Sequence, residues 1–163
     1  WTDVPSRAPA TKLIELIVQS RVGDAERRAE ARRGLQERLR PTPATGHQPP
    51  APWLQAWVHT ALGRSLLRED APEQKKLGVI ELLQVPAAHS AAHPYLDGVA
   101  LAEASVALRA LGDAPGADVL ARELIDRYPT HPAHDWAPFA AARPASPRPA
   151  PAGSGGPVAA APR

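Results

Sequence analysis

Residues 95–132 read YLDGVALAEASVALRALGDAPGADVLARELIDRYPTHP. Apolar side chains recur there at helical spacing, first as Leu96, Val99, Ala100, Ala104, Ala107, Leu108 and Leu111, then as Ala117, Leu120, Ala121, Leu124 and Tyr128. That periodicity predicts two amphipathic helices. Between them stands Gly112-Asp113, a glycine able to take the left-handed conformation that ends a helix and an aspartate able to cap the amides of the next. Pro115 falls in the first turn of the second helix, where its missing amide hydrogen costs nothing. Pro129 closes the segment, because the residue before a proline is pushed out of the helical region. The stretch predicts a helical hairpin.

The same punctuation recurs on the N-terminal side. From Ala10, the residues Leu13, Ile14, Leu16, Ile17, Val18 and Val22 give a wide apolar face that demands burial. Gly23-Asp24 follows as a second stop and start, and AERRAEARRGLQERLR runs to Pro41 with a thin apolar side of Ala25, Ala29, Leu35 and Leu39. Residues 41–52 hold five prolines and read as a linker. Trp53 opens a helix with Ala56, Trp57, Ala61, Leu62, Leu66 and Leu67 as its stripe, and after Asp70 the segment PEQKKLGVIELLQV is ended by Pro86. The turn aspartates 24, 70 and 113 are 46 and 43 residues apart. The expected fold is all-α, a right-handed stack of three antiparallel hairpins and about six helices, over residues 10–40, 53–85 and 95–128. A polar lead-in (1–9) precedes it. Trp136 and Phe139 in 133–142 are expected to cap its far end, since a terminal repeat otherwise leaves an apolar face wet. Residues 143–163, made of Pro, Ala, Gly and Ser with isolated arginines, are expected to form a disordered tail.

The hairpin at 95–128 resembles a tetratricopeptide repeat (TPR). The Gly112-Asp113 turn, the small residue Ala117, Pro129, and Leu101, Ala104, Ser105 and Leu108 match the family's turn, closing proline and first-helix packing sites. The ending ELIDRYP is similar to repeats in bacterial envelope proteins of this class. Ala61-Leu62-Gly63 resembles the Leu-Gly pair at which two helices of a repeat approach closely. Ala121 and Leu124 depart from the family's pattern, and Lys75 stands where it has a small residue, which leaves the register of the second hairpin open by one position. The turn intervals also exceed the 34 residues of a standard repeat. The resemblance implies a TPR-like α-solenoid.

Composition narrows the functional classes. The 163 residues contain no Cys, which excludes disulfides, thiolate metal sites and cysteine nucleophiles. No apolar run approaches the roughly 20 residues that span a bilayer. A net charge of +2 hides an asymmetry: +3 over residues 1–46, −4 over 47–142 and +3 over 143–163. A folded part that is nearly neutral as a whole, with the excess of positive charge at the ends, argues against nucleic acid as the partner. The chain lacks Met and begins at Trp1, as expected of a fragment or a processed protein; its compartment stays open, the resemblance implying the bacterial cytoplasm or envelope.

Catalytic patterns are not found. There is no Gly-x-Ser-x-Gly elbow and no phosphate-cradling glycine loop, so no enzyme and no cofactor is expected. His89, His93 and Asp97 stand four residues apart, a spacing suited to three metal ligands on one helical face. Pro86 and Pro94 bracket them, however, and favour polar loop residues at a repeat junction, as for His131, His134 and Asp135. Trp53 and Trp57 either fill space beneath the linker or anchor a partner. Two functions remain open: a module holding a peptide or partner subunit on a concave helical surface, or an accessory domain of an enzyme or receptor whose active part lies upstream of Trp1. If the resemblance is carried over site by site, the concave positions include Ser20, Arg21, Trp57, Thr60, Arg64, Arg68, Val99 and Arg109. Four are arginines and none is acidic, which points to an acidic segment or a C-terminal carboxylate as ligand.

Overall fold

A computed structural model describes residues 7–40, 50–90 and 92–142, with backbone alone for 7–10. Residues 1–6 of the lead-in expected at 1–9, most of the linker and the tail at 143–163 lie outside the described residues, while residues 7–9 belong to the first helix. The described chain is helical and contains seven α-helices and no strand: α1 (Arg7–Val22), α2 (Ala25–Leu39), α3 (Pro52–Leu67), α4 (Pro72–Ala88), α5 (Pro94–Ala110), α6 (Ala114–Arg127) and α7 (Ala137–Ala142), with a 3₁₀ turn at Pro132–Asp135 before the last. Each of the pairs α1 with α2, α3 with α4 and α5 with α6 packs across a short turn, while α3 also meets α1 and α2, and α5 meets α3 and α4.

The turns are built by different means. Gly112 has φ +88°, the left-handed conformation; Asp113 then accepts the Gly116 amide at 2.9 Å and its own amide donates to the Leu108 carbonyl at 2.9 Å. Asp24 caps α2 in the same way, accepting from the Arg27 amide at 2.9 Å. Gly23 serves by its size, since a Cβ there would lie 2.8 Å from the Gln19 carbonyl oxygen. Asp70 is no cap. Pro72 sits at the start of α4 and places the cap at Ala71, which has no side-chain hydrogen bond.

Pro86 does not end α4 as expected; the helix continues to Ala88, and His89 N–H donates to the Val85 carbonyl at 2.9 Å. Val79, Leu82 and Val85 are buried along that helix. Burial of Val85 alone favours folding by about 1.5–3 kcal/mol, comparable with the ~3 kcal/mol of an interior proline, and Pro86 lies only one turn from the end.

Three apolar clusters run along the molecule. Leu13 and Leu16 meet Ala31, Leu35, Val58 and Leu62; Ala56, Val79, Leu82 and Val85 meet Leu96, Ala100 and Ala104; Leu101, Ala121 and Leu124 meet Phe139. Phe139 is fully buried whereas Trp136 is half-exposed. The expected burial at α5 and α6 holds for Leu101, Ala104, Ala117 and Leu124, with Leu108 and Leu120 partly covered. Between α3 and α4 the backbones themselves touch: a Cβ on Gly63 would lie 2.9 Å from the Gly78 carbonyl oxygen, and one on Gly78 would lie 2.9 Å from that of Gly63. Gly78 resolves the register of the second pair, turning Leu77 and Ile80 outward. The N-terminal apolar face is only half used, since Ile14, Val18 and Val22 are exposed.

Candidate functional site

The odd-numbered helices α1, α3 and α5 bring Arg21, Arg64 and Glu103 to one groove with Trp136. One part, of about 420 Å³, is floored by Val99 and Ala102 and edged by Tyr95 and His131. The adjoining part, of about 550 Å³, adds Leu67, Arg68, Lys75, Val106 and Ala107.

Arg64 and Glu103 form the groove's central ion pair. Arg64 Nε donates to both Glu103 carboxylate oxygens at 2.9 Å, and these bonds raise the guanidinium pKa above its ordinary value. The expectation that no acid lies among the groove arginines is therefore corrected: Glu103 stands there, brought 39 residues along the chain by the packing of α5 on α3. Arg68 reaches the Arg21 carbonyl oxygen at the C-terminal end of α1, where a cation also complements the helix dipole. Arg21, Arg68 and Lys75 have no carboxylate partner among the described residues.

Other expected positions fall away from the groove. Thr60 is 1% exposed and its hydroxyl donates to the Ala56 carbonyl at 2.8 Å; Ser20 is buried with its hydroxyl on Ile17. A short polar side chain at a helix crossing bonds its own preceding turn, so neither is offered to a ligand. Arg109 pairs with Asp118 across the α5–α6 turn. Trp57 is half-exposed and meets His93 edge-on, ring centroids 5.6 Å apart. Val99 does line the groove.

The histidine-rich junctions are structural in their bonding. His89 ends α4 and stacks on His59 at 5.5 Å, while His59 Nδ1 is 2.8 Å from Glu81. His93 caps α5 by accepting the Leu96 amide. Asp97, fully buried, accepts the Tyr128 hydroxyl at 2.8 Å through Oδ2; its Oδ1 and His89 Nδ1 are buried without a hydrogen-bond partner among the described residues. Burial pushes the Asp97 carboxyl up against the opposing effect of Tyr128, and burial beside His59 pushes His89 down. His131 accepts the Ala133 amide and lies 2.9 Å from the Tyr95 carbonyl oxygen, so its two ring nitrogens are both engaged; His134 lies 2.8 Å from the Tyr128 carbonyl oxygen. Among the described residues no group of three His, Cys, Asp or Glu side chains is arranged to hold a metal ion, and no helix is long and apolar enough to cross a membrane.

No protein-family model matches the chain, and neither a curated protein nor a solved structure does so.

Proposed function

We propose that the chain is an interaction module of stacked, TPR-like helical hairpins that holds a carboxylate-bearing segment of a partner protein in the groove between α1, α3 and α5. The observation that carries this reading is the set of cations left without carboxylates among the described residues, Arg21, Arg68 and Lys75, around an indented surface that also presents Trp136. The sequential packing of α1 on α3 and α3 on α5 supports a stack of pairs. Arginine forks match carboxylates, and ionic pairs in a partly shielded cleft gain over those on an open surface. Arg64 is already neutralised by Glu103, so it orders the groove and leaves the ligand to its neighbours.

The test is an array of peptides graded from acidic to basic, probed with the wild type and with Arg21→Glu plus Arg68→Glu. The wild type should retain acidic peptides, and the double variant should lose them by at least tenfold while keeping its circular dichroism. Equal retention by the two folded proteins overturns the proposal.

A further inference from the structure

Three residues of α1 point away from the core that the helix itself helps to build. Ile14, Val18 and Val22 are 62%, 51% and 74% exposed, whereas Leu13, Leu16 and Ser20 are buried. The first three are each four residues apart, so they form one stripe along the helix, on the face opposite the buried set. Arg21 adjoins that stripe and lines both parts of the groove. Arg68 crosses from α3 to the Arg21 carbonyl oxygen, which sets its charge beside the last turn of the stripe. An apolar strip thus borders a cluster of cations that lack carboxylate partners among the described residues.

We infer that the groove and the α1 stripe beside it together take an acidic amphipathic helix of a partner protein, with apolar side chains on Ile14, Val18 and Val22 and carboxylates on Arg21, Arg68 and Lys75; this rests on the function proposed above. The argument for a helix is one of hydrogen bonds. An extended peptide laid over the stripe would shield its own amide and carbonyl groups from water, and no strand edge exists among the described residues to pair them. A helix pairs these groups internally and offers residues at i, i+3, i+4 and i+7 to a neighbouring helix. From Ile14 to Val22 the stripe rises about 12 Å, the length over which roughly two turns of a partner helix make contact. The charge on the groove selects acidic flanks and disfavours basic ones.

The probes are two phage-displayed libraries of 18-residue peptides, one unrestricted and one carrying a central proline that prevents a continuous helix, each selected on the full 163-residue chain. The expected winners come from the unrestricted library, carry Asp or Glu, and have apolar residues at three- and four-residue spacing. As synthetic peptides they should bind Val18→Ser and Val18→Glu at least tenfold more weakly than the wild type, and more weakly again as salt is raised. Val18 is exposed, so both variants should keep the wild-type circular dichroism and melting temperature; Val22→Glu serves in the same way if either does not. If the selected peptides are acidic and need Arg21 and Arg68 but ignore Val18 and Val22, or if the proline library yields equal binders, the helix inference fails and the groove reading stands. If neither library yields an acidic binder, both fail. If sedimentation shows a dimer that Val18→Glu converts to monomer, the stripe is covered by a second copy and the inference is overturned.

Discussion

Asp97 is enclosed on every side, yet among the described residues only one of its carboxylate oxygens has a hydrogen-bond donor, the Tyr128 hydroxyl. Its pKa is raised by burial, so the fold prefers the neutral acid. The stability this preference contributes is fully present below the unfolded carboxyl pKa of about 3.9 and is lost as pH rises through the higher folded value. The prediction is that Asp97→Asn, which keeps an acceptor for Tyr128 and removes the charge, raises the melting temperature at pH 7 by a few degrees, about 1 kcal/mol. That gain should vanish near pH 4, read by thermal melts over pH 3–8. His89 acts in the opposite direction: its pKa is lowered by burial beside His59, so its contribution is present above the unfolded value of about 6.5 and declines as pH falls below it. A neutral-pH loss for Asp97→Asn would mean that the carboxylate is stabilising where it stands. Little of this was legible beforehand. Pro86 and Pro94 favoured a junction over a shared helical face for His89, His93 and Asp97, and a break does separate α4 from α5, but the donor to Asp97 comes from a tyrosine 31 residues away.

At the scale of helices and turns, local chemistry was read well where the cause is local. Gly112-Asp113 places a left-handed glycine and an N-cap side by side, and both effects act within four residues. Asp70 missed its role by one position because Pro72 fixed the start of α4, and Pro86 was carried into a helix by the burial of its neighbours. Gly78 was passed over because a glycine amid apolar residues carries no periodic signal of its own. Two glycines with contrasting duties give a prediction. In Gly78→Ala the better helix propensity of alanine, worth up to about 1 kcal/mol, opposes a methyl set 2.9 Å from the Gly63 carbonyl oxygen and 3.0 Å from the Leu67 nitrogen. Overpacking against backbone costs about 1–3 kcal/mol, so the expected net is a loss of about 1–2 kcal/mol in urea unfolding. In Gly112→Ala nothing lies within 4 Å, and the loss of about 1 kcal/mol is that of the left-handed conformation alone. Asparagine tolerates that conformation, so Gly112→Asn should recover much of the loss while Gly78→Asn recovers none. Equal rescue at both sites would refute the distinction.

Across the whole molecule, partly buried ion pairs tie one helix pair to the next. Arg28 and Arg32 of α2 converge on Glu69, just beyond α3, and hydrogen bonds from Arg32 foremost lower the Glu69 pKa; Arg64 of α3 holds Glu103 of α5. Their side chains are shielded enough to resist full screening, since Arg64 and Glu103 are 32% and 18% exposed. A double-mutant cycle of Arg64→Ala and Glu103→Ala should give a coupling of about 1 kcal/mol that shrinks in 1 M salt. A coupling near zero would leave the pair as a solvated contact. These pairings were out of reach of the sequence reading. Helical periodicity says which face of a helix is apolar, but Arg64 and Glu103 meet only because two helices pack, and which of the many acids faces which arginine depends on that packing.

The glycine crossing of α3 and α4 also bears on motion. Where side chains separate two helices, each can hop between rotamers and let the helices slide or rock. Here backbone lies on backbone at Gly63 and Gly78, and no rotamer exists to take up a displacement. The middle pair is thus a stiff wedge, and any breathing of the molecule concentrates where α3 meets α1 and α2 and where α5 meets α3 and α4. The α1–α3 and α3–α5 seams border the groove, so its width can change while its central wall keeps its shape.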